Sequence, residues 1–245
     1  MDIFRIQSLI KEGKLLTSTN VDQENTFLQV GVYKPNNRKI GSGDANTYPS
    51  FAISIEELAN LIGGSAFQYE IGQYVASEGG VIAHRWLSTS PFGTPTAGTV
   101  QNYLVLDTND LSNAALWGTL NANIPNVEST WDGNTNTANM IAAGAGSGIT
   151  PGTAAFLCDT STNNGKTDWY LPALDELNKV WDNRWEIAQG ITAASGTQLA
   201  TTSYWSSTEN VAATAWNFRF DLGYVNFFGK SSNNFYVRAM RRFSI

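Results

Sequence analysis

A single cysteine, Cys158, in 245 residues leaves no intramolecular disulfide, which excludes the small secreted scaffolds that staple a thin core. Its neighbours Ala154, Ala155, Phe156 and Leu157 mark that thiol as a small buried hydrophobe rather than a nucleophile. A single histidine, His84, provides neither an imidazole cluster for zinc nor a second ring for a catalytic dyad. Charge is scarce too: Asp, Glu, Lys and Arg make up 15% of the chain, against about 25% in an average globular protein. The balance is acidic, net -6 with a pI near 4.8, which argues against a nucleic-acid partner because phosphate neutralisation needs clustered Lys and Arg. No run of about 18 apolar residues occurs, so no membrane span is expected. The start, Met1 to Ile6, carries Asp2 where a signal peptide wants positive charge, and no leader is expected.

What is abundant is Gly, Ser, Thr and Asn between aromatic residues, the texture of a loop-rich β protein. The length suits one large domain, or a medium one with a smaller companion. Phe4, Ile6, Leu9 and Ile10 fit a short helix, and Ser54 to Glu57 form a capping box ahead of a second one through Leu58, Leu61 and Ile62. Between them, Thr26 to Tyr33 predicts a strand. Residues 1–64 are too sparse in apolar groups for a core of their own and predict an attachment or oligomerisation region.

From residue 65 onward short strands alternate with long polar loops. Gly79 to Ala83 and Tyr103 to Leu106 predict strands, and Asn134 to Ile141 predicts a helix entry. The loops 88–98 and 144–152 are long for a compact domain, a length associated with function or disorder. The clearest helix runs from Pro172 to about Trp185, with Asp175 and Glu176 complementing its dipole. Leu174, Leu177, Val180 and Trp181 form its apolar stripe, which core packing explains better than a cofactor box.

Near the C-terminus, residues 216–221 alternate apolar and polar, Leu222-Gly223 offers a turn, and Tyr224 to Phe228 returns as a second strand. A loop at 229–234 leads to a closing strand, Phe235 to Phe243. Alternation assigns Trp216, Phe218, Phe220, Val225 and Val237 to the scaffold. It leaves Tyr224, Phe228 and Phe235 as an exposed aromatic patch of the kind that anchors interfaces.

Asp168-Trp169-Tyr170-Leu171-Pro172, Asp175-Glu176-Leu177, Tyr204-Trp205-Ser206-Ser207-Thr208-Glu209, Ala215-Trp216, Gly223, Lys230 and Tyr236-Val237-Arg238-Ala239-Met240-Arg241 occur in this order. With weaker echoes from residue 79 onward, this pattern resembles the variable proteins of diversity-generating retroelements. The resemblance implies an α+β, C-type-lectin-like domain related to the formylglycine-generating-enzyme fold, with short β-strands, few helices and long loops. It would span residues 65–245, with a variable region at about 204–243.

In such proteins adenine-directed mutagenesis rewrites Asn-type codons while framework residues stay fixed. The implied ligand-binding positions are Asn217, Arg219, Asp221, Leu222, Tyr224, Asn226, Phe227, Phe228, Gly229, Ser231, Ser232, Asn233, Asn234 and Phe235. Each is reachable from an Asn codon by changing adenines alone, and Lys230, which is not, sits among them as a framework residue. Arg238 and Arg241 are expected to pair with carboxylates such as Glu176 or Glu209, because a buried guanidinium needs a partner.

Enzyme chemistry lacks parts. The formylglycine-generating relative relies on a cysteine pair that a chain with Cys158 alone does not have. Asp107, Asp110 and Asp159 do not make the six to eight oxygens of a calcium loop, and no metal or cofactor is expected. The expectation is a non-enzymatic binding protein with a diversified recognition surface, carried on a phage virion and contacting a host cell-surface protein or glycan. It would form a homo-oligomer, a trimer being favoured, and join other virion proteins through residues 1–64. The alternatives are a bacterial cell-surface adhesin of the same family and an enzyme on the related scaffold.

Overall fold

The computed structural model describes residues 67–96, 98–231 and 233–245, and the backbone of residues 21–22, 27–29 and 52–54. The chain divides into two compact units, Met1–Gln68 and Tyr69–Ile245. In the first unit β1 (Val21–Asp22), β2 (Phe27–Gln29) and β3 (Ala52–Ser54) form a three-stranded antiparallel sheet in that order. Of the strand expected at 26–33, residues 27–29 form β2, and the remainder lies outside the described residues. The helices expected at 4–10 and after Ser54 lie outside the described residues.

The second unit opens with β4 (Tyr74–Val75), β5 (Gly80–Ser88) and β6 (Val100–Asp107), which with β12 (Met240–Ser244) make a four-stranded sheet in the order β12-β6-β5-β4. Both strands expected here are found, and both are longer than their apolar kernels. Val81, Ile82 and Ala83 on β5 and Tyr103 to Leu106 on β6 are buried. A second, five-stranded sheet runs β10-β9-β8-β11-β7, from β7 (Ser112–Ala115), β8 (Ser203–Val211), β9 (Thr214–Arg219), β10 (Tyr224–Gly229) and β11 (Phe235–Val237).

Among the described residues the unit also has four α-helices, α1 (Gly133–Ala143), α2 (Ala154–Asp159), α3 (Leu174–Asp182) and α4 (Arg184–Ala193), and three short 3-10 turns. The helix entry expected at Asn134 is α1, which Asp132 caps by accepting from the Thr135 amide. The single helix expected from Pro172 to Trp185 is instead two. Ala173 is the extended residue before α3, and at Asn183 (φ -104°, ψ 18°) the chain breaks before α4. The break is held from β5, where Asn183 Nδ2 donates to the Ala83 carbonyl at 2.9 Å, and locally, where the Arg184 guanidinium donates to the Trp181 carbonyl at 2.8 Å. Leu174, Leu177 and Val180 are buried as their stripe predicts.

The five-stranded sheet has a core on each side, and consecutive residues of β8 show why. Trp205 enters one core with Trp117, Trp169, Leu171, Ala215 and Val237. Tyr204, pointing the opposite way, enters the other with Phe218, Phe220, Leu177, Ile187 and Met240. Burying a large side chain on either face contributes roughly 1.5–3 kcal/mol. The short β-strands, few helices and curled sheets agree with the α+β, lectin-like architecture expected from sequence.

The closing strand expected from Phe235 to Phe243 is not continuous. Val237 pairs with Ser112 in the five-stranded sheet, whereas Met240 pairs with Leu106 in the four-stranded one. Arg238 and Ala239 lie between the ladders, so the chain crosses from one sheet to the other. Arg238 is fully buried there and donates to Asp110 (2.7 Å) and to the Thr197 carbonyl (2.7 Å).

Candidate functional site

The site expected from sequence centres on the hairpin of β9 and β10. Its register is regular, from Arg219 opposite Tyr224 to Thr214 opposite Gly229. Gly223 makes the turn at φ +70°, a left-handed conformation that favours glycine. It also lies against the Trp181 indole, where a Cβ would come within 2.6 Å of a ring carbon. The hairpin is therefore clamped to α3 at its tip.

Residues opposite each other in this ladder share a face. Trp216, Phe218, Val225 and Phe227 lie on one face. Ala215, Asn217, Arg219, Tyr224, Asn226 and Phe228 lie on the other. On the first face the inner strand is covered, with Phe218 under Trp181 (ring centroids 6.0 Å), while the outer strand is open. Phe227, 48% exposed, meets the half-buried Trp216 edge to face at 5.4 Å. Val225 is 42% exposed, which overturns its assignment to the scaffold. Alternation places it beside Phe218 correctly, but β10 is the outermost strand and nothing among the described residues covers it there.

The second face sorts the predicted residues by depth. At the tip the Arg219 guanidinium pairs with Asp221 (Nε to Oδ1 2.9 Å) and sits 5.7 Å from the centre of the Tyr224 ring. That hydrogen bond holds the Asp221 carboxyl below the usual carboxylate range and lifts Arg219. Both groups are charged at neutral pH. Asp221, Leu222 and Tyr224 are exposed, and Asn226 is half-buried.

Deeper in, Phe228 packs on Phe235 (5.2 Å) and Phe235 on Trp205 (4.7 Å), so both rings are half-buried against the core. The exposed aromatic patch expected from Tyr224, Phe228 and Phe235 is thus exposed only at Tyr224. Asn217 is fully buried, and neither its amide nitrogen nor its oxygen has a hydrogen-bond partner among the described residues. Expected among the ligand-binding positions, it does not reach the surface. Gly229, Ser231 and Asn233 are half-buried, Asn234 is exposed, and Ser232 lies outside the described residues. Ser231 donates to Asn121 at 3.0 Å, tying the loop to a neighbouring turn.

The framework behind this surface is ionic and buried. Lys230 is inaccessible, ion-paired with the equally buried Glu209, and donates to the Ala122 carbonyl at 2.9 Å. Its ammonium lies 4.6 Å from the centre of the Trp117 ring. Burial pulls the Lys230 pKa down while Glu209 pulls it up. The carboxylate pairing expected of Arg238 and Arg241 is present, but with other partners. Arg238 takes Asp110, and Arg241 takes Asp168 (2.8 Å) and Glu78 (2.7 Å). Glu209 is committed to Lys230 and the Ile124 amide, and Glu176 to the Tyr170 hydroxyl and the Ala173 and Gly133 amides.

The groups considered for catalysis sit elsewhere. Cys158 is buried in the core, and burial raises its thiol pKa well above the ordinary value. Burial and Lys179 hold His84 at about 4, against the opposing pull of Asp182, so it is neutral at pH 7. Asp107 is bonded by Asn163 and Asp110 by Arg238. Among the described residues no three His, Cys, Asp or Glu side chains gather as metal ligands. Residues 107–241, which hold the hairpin and its framework, match the family model of the Lcl C-terminal domain. No curated protein matches the chain.

Proposed function

This chain belongs to the Lcl C-terminal domain family, and from that premise we propose that it is a non-enzymatic binding protein whose ligand docks on the outer strand and tip of the β9–β10 hairpin. The observation that carries this is a run of exposed apolar side chains along an outermost strand and its turn, Tyr224 on one face of the ladder and Val225 and Phe227 on the other. Leu222, Tyr224, Val225 and Phe227 are between 42% and 60% exposed within six consecutive residues. Large side chains exposed along a sheet edge, on both of its faces, present a ridge that a partner can grip, whereas scattered ones need no explanation. Arg219 and Asp221 add directional polar contacts beside them, and the ionic framework keeps the base of the hairpin rigid.

In this reading the exposed positions are diversified by a retroelement, and the ligand is a protein or glycan on a host cell surface. The protein is carried on a phage virion and assembles with copies of itself and other virion proteins through residues 1–64. Support comes from the fourteen positions named from sequence: every one is compatible with an Asn codon altered at adenines, while the buried Lys230 between them is not.

The test is retention of host bacterial cells by the immobilised full chain. The triple variant Leu222→Ala, Tyr224→Ala, Phe227→Ala should lose retention while its unfolding midpoint stays close to that of the parent. Undiminished retention by a folded triple variant would place the docking surface elsewhere.

A further inference from the structure

A second site lies away from the hairpin, in a cavity of about 280 Å³ to which no hairpin residue contributes. Its walls are rings and hydrocarbon: Trp86 on β5, Phe92 and Pro95 in the loop that follows, Leu104 on β6, and Trp131 before α1. Trp86 is fixed by donating to the Gly93 carbonyl at 2.8 Å, and His84, two residues earlier on the same face of β5, stacks on it at 5.9 Å. Phe92 sits at φ +55°, held there as its amide donates to Asn102 at 2.7 Å. Trp131, at the mouth, is 65% exposed.

The charged groups around the cavity are already paired. Arg242 lies over the Phe92 ring and bonds Asp132 (3.3 Å) and Asn134 (3.2 Å). Lys179 lies 3.8 Å from Asp182. Glu176 on the floor has its oxygens taken by Tyr170, Ala173 and Gly133, and His84 is uncharged at neutral pH. Asp175 is different, because the described side chains engage only its Oδ2, through the Thr130 hydroxyl at 2.7 Å. The cavity therefore offers flat apolar walls and one carboxylate oxygen able to accept.

The geometry points to a binding site for an uncharged aromatic ring that carries one hydrogen-bond donor, a phenol or an indole. The ring lies against Trp86 and Trp131, and its O–H or N–H donates to Asp175. Arg242 is committed to Asp132 and Asn134 and covers the face of Phe92, which leaves Trp86 and Trp131 as the walls for the ring. Pockets of this kind, apolar with a few placed polar groups, fix a ligand's orientation through the polar contact and its affinity through the walls.

The experiment is calorimetric titration of the full chain with p-cresol, indole and toluene. Saturable one-to-one binding of p-cresol and indole is expected. Trp131→Ala should weaken both by about tenfold, the scale of one lost stacking contact. Asp175→Asn should weaken p-cresol and leave toluene unchanged. Trp185→Ala, which removes an exposed indole outside the cavity, should change nothing. Absence of saturation by p-cresol and indole, equal affinity in the Trp131 variant, or saturation by methyl glucopyranoside in their place would each overturn the proposal. None of these outcomes involves the hairpin, so the two sites stand or fall separately.

Discussion

The hairpin at 214–229 and the segment that follows it, 230–241, are neighbours in sequence and opposites in physics. In the hairpin the outer strand carries large apolar side chains into solvent, and its one ion pair, Arg219 with Asp221, is local and accessible. In the following segment Lys230, Arg238 and Arg241 are buried, and each reaches a carboxylate at least 21 positions away in sequence. The diversified surface proposed for the hairpin needs a base that does not move when its residues change. Buried charges supply that base because each would be stranded by any rearrangement that removed its partner.

The sharpest way to break this contrast is at Lys230. Lys230→Met leaves Glu209 buried without its cation and should cost about 3–5 kcal/mol in urea denaturation. Adding Glu209→Leu should recover most of the loss, since an apolar pair replaces an ionic one. A loss under about 1 kcal/mol in the single variant would reduce Lys230 to an ordinary surface lysine. Next is Phe235, counted with the ligand surface by sequence but packed on Trp205 by structure. Because it is only half-buried, Phe235→Ala should cost about 2 kcal/mol, roughly half the value for a fully buried ring. No measurable change would return it to the surface. The smallest effect should come from Asn217, whose buried amide is unpartnered among the described residues. Asn217→Leu should be neutral or stabilise by about 1 kcal/mol, because an unsatisfied polar group is removed. A clear destabilisation would reveal a partner for that amide.

How far the fold was legible follows from the same residues. Local signals sufficed where they were strong. The run from Asn134 to Ile141 marks α1, Gly223 marks the hairpin turn, and the Leu174-Leu177-Val180 stripe marks the buried face of α3. They failed where a distant group decided the outcome. Asn183 breaks the helix by reaching the Ala83 carbonyl, a hundred positions away, and Arg238 splits the closing strand by reaching Asp110. Val225 and Phe228 show the limit for the site. Period two tells which residues share a face but not whether another layer covers it. Val225 therefore lies open on an outermost strand while Phe228, across the pleat, packs against the core.

Sequence by itself determined the kernels of β5, β6, α1 and α3, the presence of the hairpin, the burial of Cys158, and the need of Arg238 and Arg241 for carboxylates. Each of these is set by neighbours within a few residues or by the chemistry of a single side chain. Tertiary structure alone decided which carboxylates answered, which of the fourteen positions face solvent, and that Trp86, Phe92 and Trp131 converge on one cavity. Those outcomes depend on how sheets and helices stack. Stacking is fixed by long-range burial, to which no short window of sequence has access.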